Sequence, residues 1–353
     1  MKTRNSYIDL VKLGFAIVIL LYHFNVPSFQ GGYVVVEGFF IISGWLMMRA
    51  AERETSLPEA ENCCRFMLRK YLSIFPYLLI SALIGYFVNV HVQGLDKEMA
   101  KNVFPLLIFE VIPLQCAGFD GYWATGVSWY LSAMFISMLV LYPLAVKWKR
   151  KFSVTVAPFI SVIFYGLLCK NYHHLDVPNF WIVDLFNSGL LRAAAGICLG
   201  AVSFELCKRF AEKPLGKVGK SVCSAVTLFC IVCVFLLIRE YKHTYFDFVI
   251  VALLFVFLTI GLSQNSLLSA YLRVDFTKHL ASFSTVIYLN HYYWSYFVRE
   301  KLPHLTPTSS MLVYFGLVLG KSLSVYFLVL AGKFALKKWK ERKRKTEEIE
   351  KAE

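Results

Sequence analysis

What this 353-residue chain lacks is a long polar stretch. Charged residues make up 17% of it, and its polar runs reach only about twenty residues, short of the roughly 50 that the smallest independent domains need. No soluble domain fits beside the apolar segments. Negative charge is also scarce, with 23 Asp and Glu against 37 Lys and Arg, for a formal charge of +14. Taken alone that excess would suggest a nucleic-acid partner. The cations, however, sit in loops and in a tail flanking apolar runs, which is the positive-inside pattern of a membrane protein, and no nucleic-acid partner is expected. The nine cysteines form no framework. Cys230 and Cys233 make a CxxC, but inside the apolar run FCIVCVFLLI, where small polarizable side chains pack well; Cys63 and Cys64 fall in a basic loop expected to be cytoplasmic, where disulfides are rare. The pair His173 and His174 has no third ligand in reach, so no metal is expected. No convincing internal repeat is present, which weighs against the transporters built from two related halves.

What is present is hydrophobicity: 58% of residues are apolar and 16% aromatic, which excludes an ordinary soluble protein. Apolar runs long enough to span, roughly 17–25 residues each, fall at about 7–27, 33–50, 71–91, 127–146, 152–169, 185–206, 220–238, 246–264, 279–298 and 311–335. The first is too long, and too directly followed by a second span, for a cleaved signal peptide. Lys- and Arg-rich loops follow the second, fourth, sixth and eighth runs (Arg49 to Lys70, Lys147 to Lys151, Lys208 to Lys220, Arg273 and Lys278). That alternation puts both termini on the cytoplasmic side. The fold class expected is all-α: a polytopic bundle of about ten transmembrane helices in a domain over 1–338, with a charged cytoplasmic tail over 339–353. The piece 103–116, VFPLLIFEVIPLQC, is too short and too broken by proline to cross, and is expected as an outer interfacial or re-entrant segment.

The first two runs form a hairpin around the turn PSFQGG and carry Asp9, Lys12, His23 and Glu37. An ionisable side chain at the bilayer centre costs about 2.5–3.5 kcal/mol even on insertion-derived scales, so four together read as a functional site. Lys12 and His23 are 11 residues apart and so share a helix face, about 16 Å apart along the axis; Asp9 lies one turn from Lys12. If the second helix begins near Tyr33, Glu37 lies about as far from the surface as His23. The expectation is that the two meet, the carboxylate orienting the imidazole and raising its basicity as a general base requires.

The stretch IDLVKLGFAIVILLYHF followed by VVVEGFFIISGWLM resembles the opening signature of the membrane-bound acyltransferase 3 family, which reads iDxlRglAixxVxxxH and then GVxxFFxxSGfl. Further along, FMLRKYLSIFP, SWYLSAMFISMLVLYP, LLRAAAGICLG and TVIYLNH are similar, in the right order, to that family's later segments. Three positions depart from its pattern: Lys12 and Ser73 stand where Arg is usual, and Met134 where many members carry Glu. The resemblance implies a bacterial inner-membrane enzyme. It would move an acyl group, with acetyl the expected one, from cytoplasmic acyl-coenzyme A to a sugar hydroxyl of an envelope glycan or its lipid-linked precursor. No bound cofactor is implied; acyl-coenzyme A is a co-substrate, the lipid bilayer is the setting, and oligomeric state is open.

Within that reading His23 and Glu37 are the catalytic candidates, His23 as base on the acceptor hydroxyl or as transient acyl carrier. Lys12, Asp9, Arg69 and Lys70 are candidates for donor binding; alone, Arg69 and Lys70 read as membrane-surface anchors, and the resemblance makes phosphate binding the better reading. Ser43, Trp129, Ser132, Arg192, Tyr288 and His291 are expected to line a cavity. The plainer roles are interface-belt tryptophan for Trp129, a helix-to-helix hydrogen bond for His291 and a buried ion pair for Arg192. Gly44, Gly196 and Gly200 let helices approach closely. The alternative from another class is a multi-span exporter of a small solute; an inactive scaffold rests only on the three departures.

Overall fold

The computed structural model describes residues 6–53, 57–119, 121, 123–182, 185–212, 215–263 and 277–350. The chain is almost wholly helical, as apolar surroundings demand: with no water to satisfy backbone N–H and C=O groups, each segment must satisfy its own. In order come α1 (Ser6–His23), α2 (Val36–Ala51), α3 (Glu59–Gln93), α4 (Lys97–Val103), α5 (Ile108–Val111), α6 (Trp129–Trp148), α7 (Ala157–Tyr172), α8 (Ser188–Glu212), α9 (Lys217–Glu240), α10 (Phe246–Leu262), α11 (Thr277–Lys301) and α12 (Pro307–Glu350). A short antiparallel pair, β1 (Trp181–Ile182) with β2 (Phe186–Asn187), clasps the loop before α8.

Among the described residues eight helices, α1, α2 with the turn before it, α3, α6, α7, α8, α9 and α12, are long and apolar enough to cross a membrane. The other two predicted spans are helices as well: α10 is shorter, at 17 residues, and α11 is long but carries Asn290, His291 and several hydroxyls. Two predicted boundaries move. α3 begins at Glu59 rather than near 71, because its first three turns are charged on the exposed side yet good helix formers. The predicted tail continues α12 as one helix to Glu350. Within the basic loops, Lys213 and Arg273 lie outside the described residues, as do both chain ends.

The bundle is built around α2, which is buried on nearly every side. It lies backbone against backbone with α8: a side chain on Gly44 would overlap the Ile197 carbonyl, and one on Gly200 the Ile41 carbonyl. Only glycine permits that approach. α11 packs between α1, α3 and α12, while α9 is exposed over most of its length. Arg53, Arg65, Arg69, Arg150 and Lys208 gather at one end of the bundle, here the basic end; His23, Asp176 and His243 lie at the far end.

The segment from 97 to 117 is re-entrant. From the turn at Gly94 it runs back alongside α3: Tyr86 Oη donates to the Ala100 carbonyl at 2.8 Å and, fifteen residues earlier in α3, Tyr71 Oη donates to the Val111 carbonyl at 3.1 Å. It then returns, Cys116 N donating to Ser132 Oγ at 2.9 Å. Glu110, fully buried, holds the two limbs together. Its carboxylate accepts from Ala124 N at 2.7 Å, Thr125 N at 3.0 Å, Ser128 Oγ at 2.6 Å and the Thr125 hydroxyl. Nothing was assigned to Glu110 from the sequence, although a lone carboxylate in an apolar run is the kind of signal that marks a committed partner.

Candidate active site

Two recesses meet at the basic end. A groove of about 480 Å3 is lined by Arg53, Arg65, Arg69 and Lys70 with Asn62, Phe66 and Tyr142. A deeper cavity of about 80 Å3 is lined by Lys12, Ser43, Lys70, Tyr130, Met134 and Tyr288, together with Phe39, Ile74, Leu131 and the α11 residues Ser284, Thr285 and Leu289. Lys70 lines both. Arg69, on the next position of α3, points outward and is exposed. Helix phase explains the division: residues one apart on a helix diverge by about 100°. The predicted donor residues are thus spread over two recesses, Arg69 on the groove, Lys12 on the cavity and Lys70 on both. Asp9 is buried one turn before Lys12 in α1.

The inner wall of the cavity is aromatic. Rings of Phe39, Tyr130 and Tyr288 form a near-equilateral triangle, with centroids 5.9, 5.8 and 5.6 Å apart. Tyr288 is held by a 3.1 Å hydrogen bond from its hydroxyl to the Val127 carbonyl. Beyond it stands His291, whose ring is 5.8 Å from that of Tyr288, and beyond that His23, 5.1 Å from His291. Tyr22 and Tyr292 flank His23 at 4.8 and 5.0 Å. His23 is half-buried at the last turn of α1, whereas His291 is fully buried. His291 Nδ1 lies 2.6 Å from the Tyr288 carbonyl. A carbonyl only accepts, so the proton sits on Nδ1 and Nε2 carries a lone pair. Among the described residues that Nε2 has no hydrogen-bond partner.

Glu37 corrects the sequence reading. It does not meet His23. Its Oε1 accepts from Arg192 Nε at 2.8 Å and its Oε2 from Tyr165 Oη at 2.6 Å, with Glu37 and Arg192 both fully buried. The cause is the α2–α8 crossing. Gly196 lets α8 approach, and Arg192, one turn earlier on the same face, is thereby set opposite the first turn of α2, while α1 faces the other side. The Arg192 guanidinium also lies over the Trp129 ring, 5.0 Å from its centroid.

The predicted cavity set divides for the same reason of phase. Ser43 and Tyr288 line the cavity. Trp129 and Ser132, at i and i+3 of α6, face instead Arg192 and the re-entrant segment, and the α6 residues at the cavity are Tyr130, Leu131 and Met134. Arg192 belongs to the ion pair, and His291 lies behind the ring layer. Of the three departures, Lys12 and Met134 are at the cavity; Ser73 is exposed and donates to the Lys70 carbonyl of its own helix at 2.7 Å. Met134 Sδ lies 3.4 Å from Ser43 Oγ and 3.7 Å from Tyr130 Oη.

Sequence reasoning missed a polar cluster at the far end. Asp176 accepts from Tyr22 Oη at 2.8 Å and lies 2.8 Å from His243 Nε2, while Asp247 accepts from Tyr33 Oη at 2.8 Å and from Leu175 N at 2.7 Å. The His174 ring is 4.7 Å from that of His243; burial, then the neighbouring His243, push its imidazole below the ordinary histidine range. Tyr22 joins this cluster to His23. The contributing residues lie in three separate segments, and no spacing rule connects them.

A family model described as an acyltransferase domain matches residues 5–329. No curated protein and no solved structure matches the chain.

Proposed function

This chain belongs to the acyltransferase 3 family and is a multi-pass membrane acyltransferase, and from that premise we propose that it transfers an acyl group, acetyl in the first instance, from acyl-coenzyme A to a sugar hydroxyl of an envelope glycan or lipid-linked glycan. The observation that carries this reading is a single file of side chains through the bundle: Arg69 and Lys70 at the basic groove, Lys12 and Ser43 in the cavity, then Tyr288, His291 and His23. The clustered cations favour the basic end as cytoplasmic, with both chain ends on that side of a bacterial inner membrane.

The donor's phosphates rest on Arg53, Arg65 and Arg69, for which guanidinium forks are suited. The thioester end passes Lys70 into the cavity and stops at the ring layer. Lys12, an amine where the family usually has a guanidinium, attracts the anionic donor as a point charge and not as a fork. The acceptor hydroxyl reaches His23 from the far end, where that ring is partly open. For reaction the thioester carbonyl edges past the Tyr288 ring, while the acyl tail stays against Met134. The hydroxyl oxygen attacks the thioester carbonyl carbon, its proton passes to the His23 ring, the carbon–sulfur bond breaks, and the coenzyme leaves as its thiol after taking that proton. His291, neutral and with its Nε2 lone pair free, supports His23 as a hydrogen-bond acceptor. The far-end carboxylate of Asp176 and the ring of Tyr22 offer contacts to a sugar.

The test is thiol release from acetyl-coenzyme A by the purified full chain without acceptor, alongside glycan acetylation in a strain lacking the protein. Slow hydrolysis and a missing acyl substituent are expected. A chain that neither binds nor cleaves acyl-coenzyme A while fully folded would overturn the donor.

A further inference from the structure

We propose that Met134, together with the ring layer of Phe39, Tyr130 and Tyr288, gauges the acyl chain and limits it to short chains. The inference rests on the reading that acyl-coenzyme A delivers its thioester past Lys70, and it deepens that reading by naming the residues that set chain length.

The cavity beyond Lys70 measures about 80 Å3. A cavity of that size has room for a few small groups and not for a long chain. An acetyl group has three heavy atoms; a hexanoyl group has seven. The limit is enforced by walls of different kinds. Toward His291 the cavity ends on three mutually packed rings, one of them pinned by the Tyr288 hydroxyl on the Val127 carbonyl. Toward α6 it ends on Met134, buried and one turn from Tyr130, with its sulfur against Ser43 Oγ and Tyr130 Oη. Those two contacts are weak, since a thioether is a poor acceptor. Met134 is therefore held by shape more than by bonding, and its truncation leaves no strongly desolvated partner behind. The surrounding rings and helix backbones are fixed by several contacts each, so Met134 is the wall that a single substitution moves furthest.

Met134→Ala removes three heavy atoms from the α6 wall and enlarges the cavity there. Met134→Leu conserves volume. The experiment uses the full chain in detergent or membranes with acetyl-, butyryl- and hexanoyl-coenzyme A, reading both the dissociation constant and kcat/KM for thiol release. A fitted apolar pocket discriminates one methylene by roughly 10–200-fold. Wild type should therefore prefer acetyl over hexanoyl by at least about 100-fold; Met134→Ala should narrow that ratio by about tenfold or more, and Met134→Leu should keep the wild-type ratio. The ratio between donors does not depend on how much of a variant is folded. Equal use of all three chain lengths by wild type, or an unchanged ratio in Met134→Ala, would overturn the gauge and leave the donor reading standing. Absence of both binding and turnover with all three would overturn the two together.

Discussion

Two pairs of ionisable side chains are buried toward the far end of this bundle, and they are built in opposite ways. In Glu37–Arg192, between α2 and α8, the carboxylate is closed on both oxygens, by the guanidinium and by Tyr165, and the guanidinium rests on Trp129. In His23–His291, between α1 and α11, one ring is half-open and the other keeps a bare Nε2 among the described residues. The first pair is what a fold does with charges it must bury, since an unpaired one would cost several kcal/mol. The second leaves a basic atom unused beside an opening, and stability gives no reason to do so. Both pairs come from positions that look equally conspicuous along the chain. Only their partners separate a strut from a working site.

The sharpest way to test this contrast is to remove one member of each pair and read activity and stability separately. His23→Ala should lower acyl transfer by about 10²–10⁴-fold, the usual contribution of a positioned general base, with unchanged thermal unfolding in detergent. Substantial transfer by well-folded His23→Ala would remove His23 from the chemistry. Arg192→Ala should do the reverse. It leaves the Glu37 carboxylate buried with Tyr165 alone, a loss of about 3–5 kcal/mol, and whatever folded protein remains should retain its turnover number. A double replacement, Glu37→Gln with Arg192→Met, should recover much of that stability, because no uncompensated charge is left.

The fold was legible because lipid permits few solutions: ten apolar runs of sufficient length became ten helices, and a run too short and too proline-broken to cross became the re-entrant segment. The site was legible in part. Lys12, Lys70, Ser43 and Tyr288 converge because each lies on a helix face whose phase is fixed by spacing. The partner of Glu37 was not, since depth along a hairpin says nothing about rotation; that is decided by Gly44, Gly196 and Gly200, which draw α8 against α2 and carry Arg192 with it. Rotation also decides α6, whose Trp129 lies beside Arg192 and whose Ser132 meets the re-entrant segment. Asp176, His243 and Glu110 depend on loops meeting in space, for which the sequence carries no period.

An effect of similar size bears on the basic end. Replacing Arg69 and Lys70 together with Gln should raise the KM for acetyl-coenzyme A and leave acceptor affinity unchanged, each charged hydrogen bond being worth about 1.5–3 kcal/mol. Unchanged donor affinity would make both residues anchors at the membrane surface.

The smallest expected effect separates the two pairs most finely. Tyr165→Phe deletes one hydroxyl and changes little else: the ring stays packed edge-on to Phe248, 6.3 Å away, and Glu37 keeps Arg192. The carboxylate loses one of its two side-chain donors, and because that bond is to a charged acceptor the loss should be about 1.5–3 kcal/mol at most, less if Oε2 turns toward the nearby guanidinium, whose Nη2 has no partner among the described residues. If Glu37–Arg192 is a strut, the variant should unfold a few degrees earlier and transfer acyl groups at the wild-type rate with an unchanged pH profile. If Glu37 instead acts in the reaction, weakening its hydrogen bonding should alter the pH dependence of kcat while the melting temperature hardly moves. That second outcome would erase the distinction between the pairs and return Glu37 to the chemistry alongside His23.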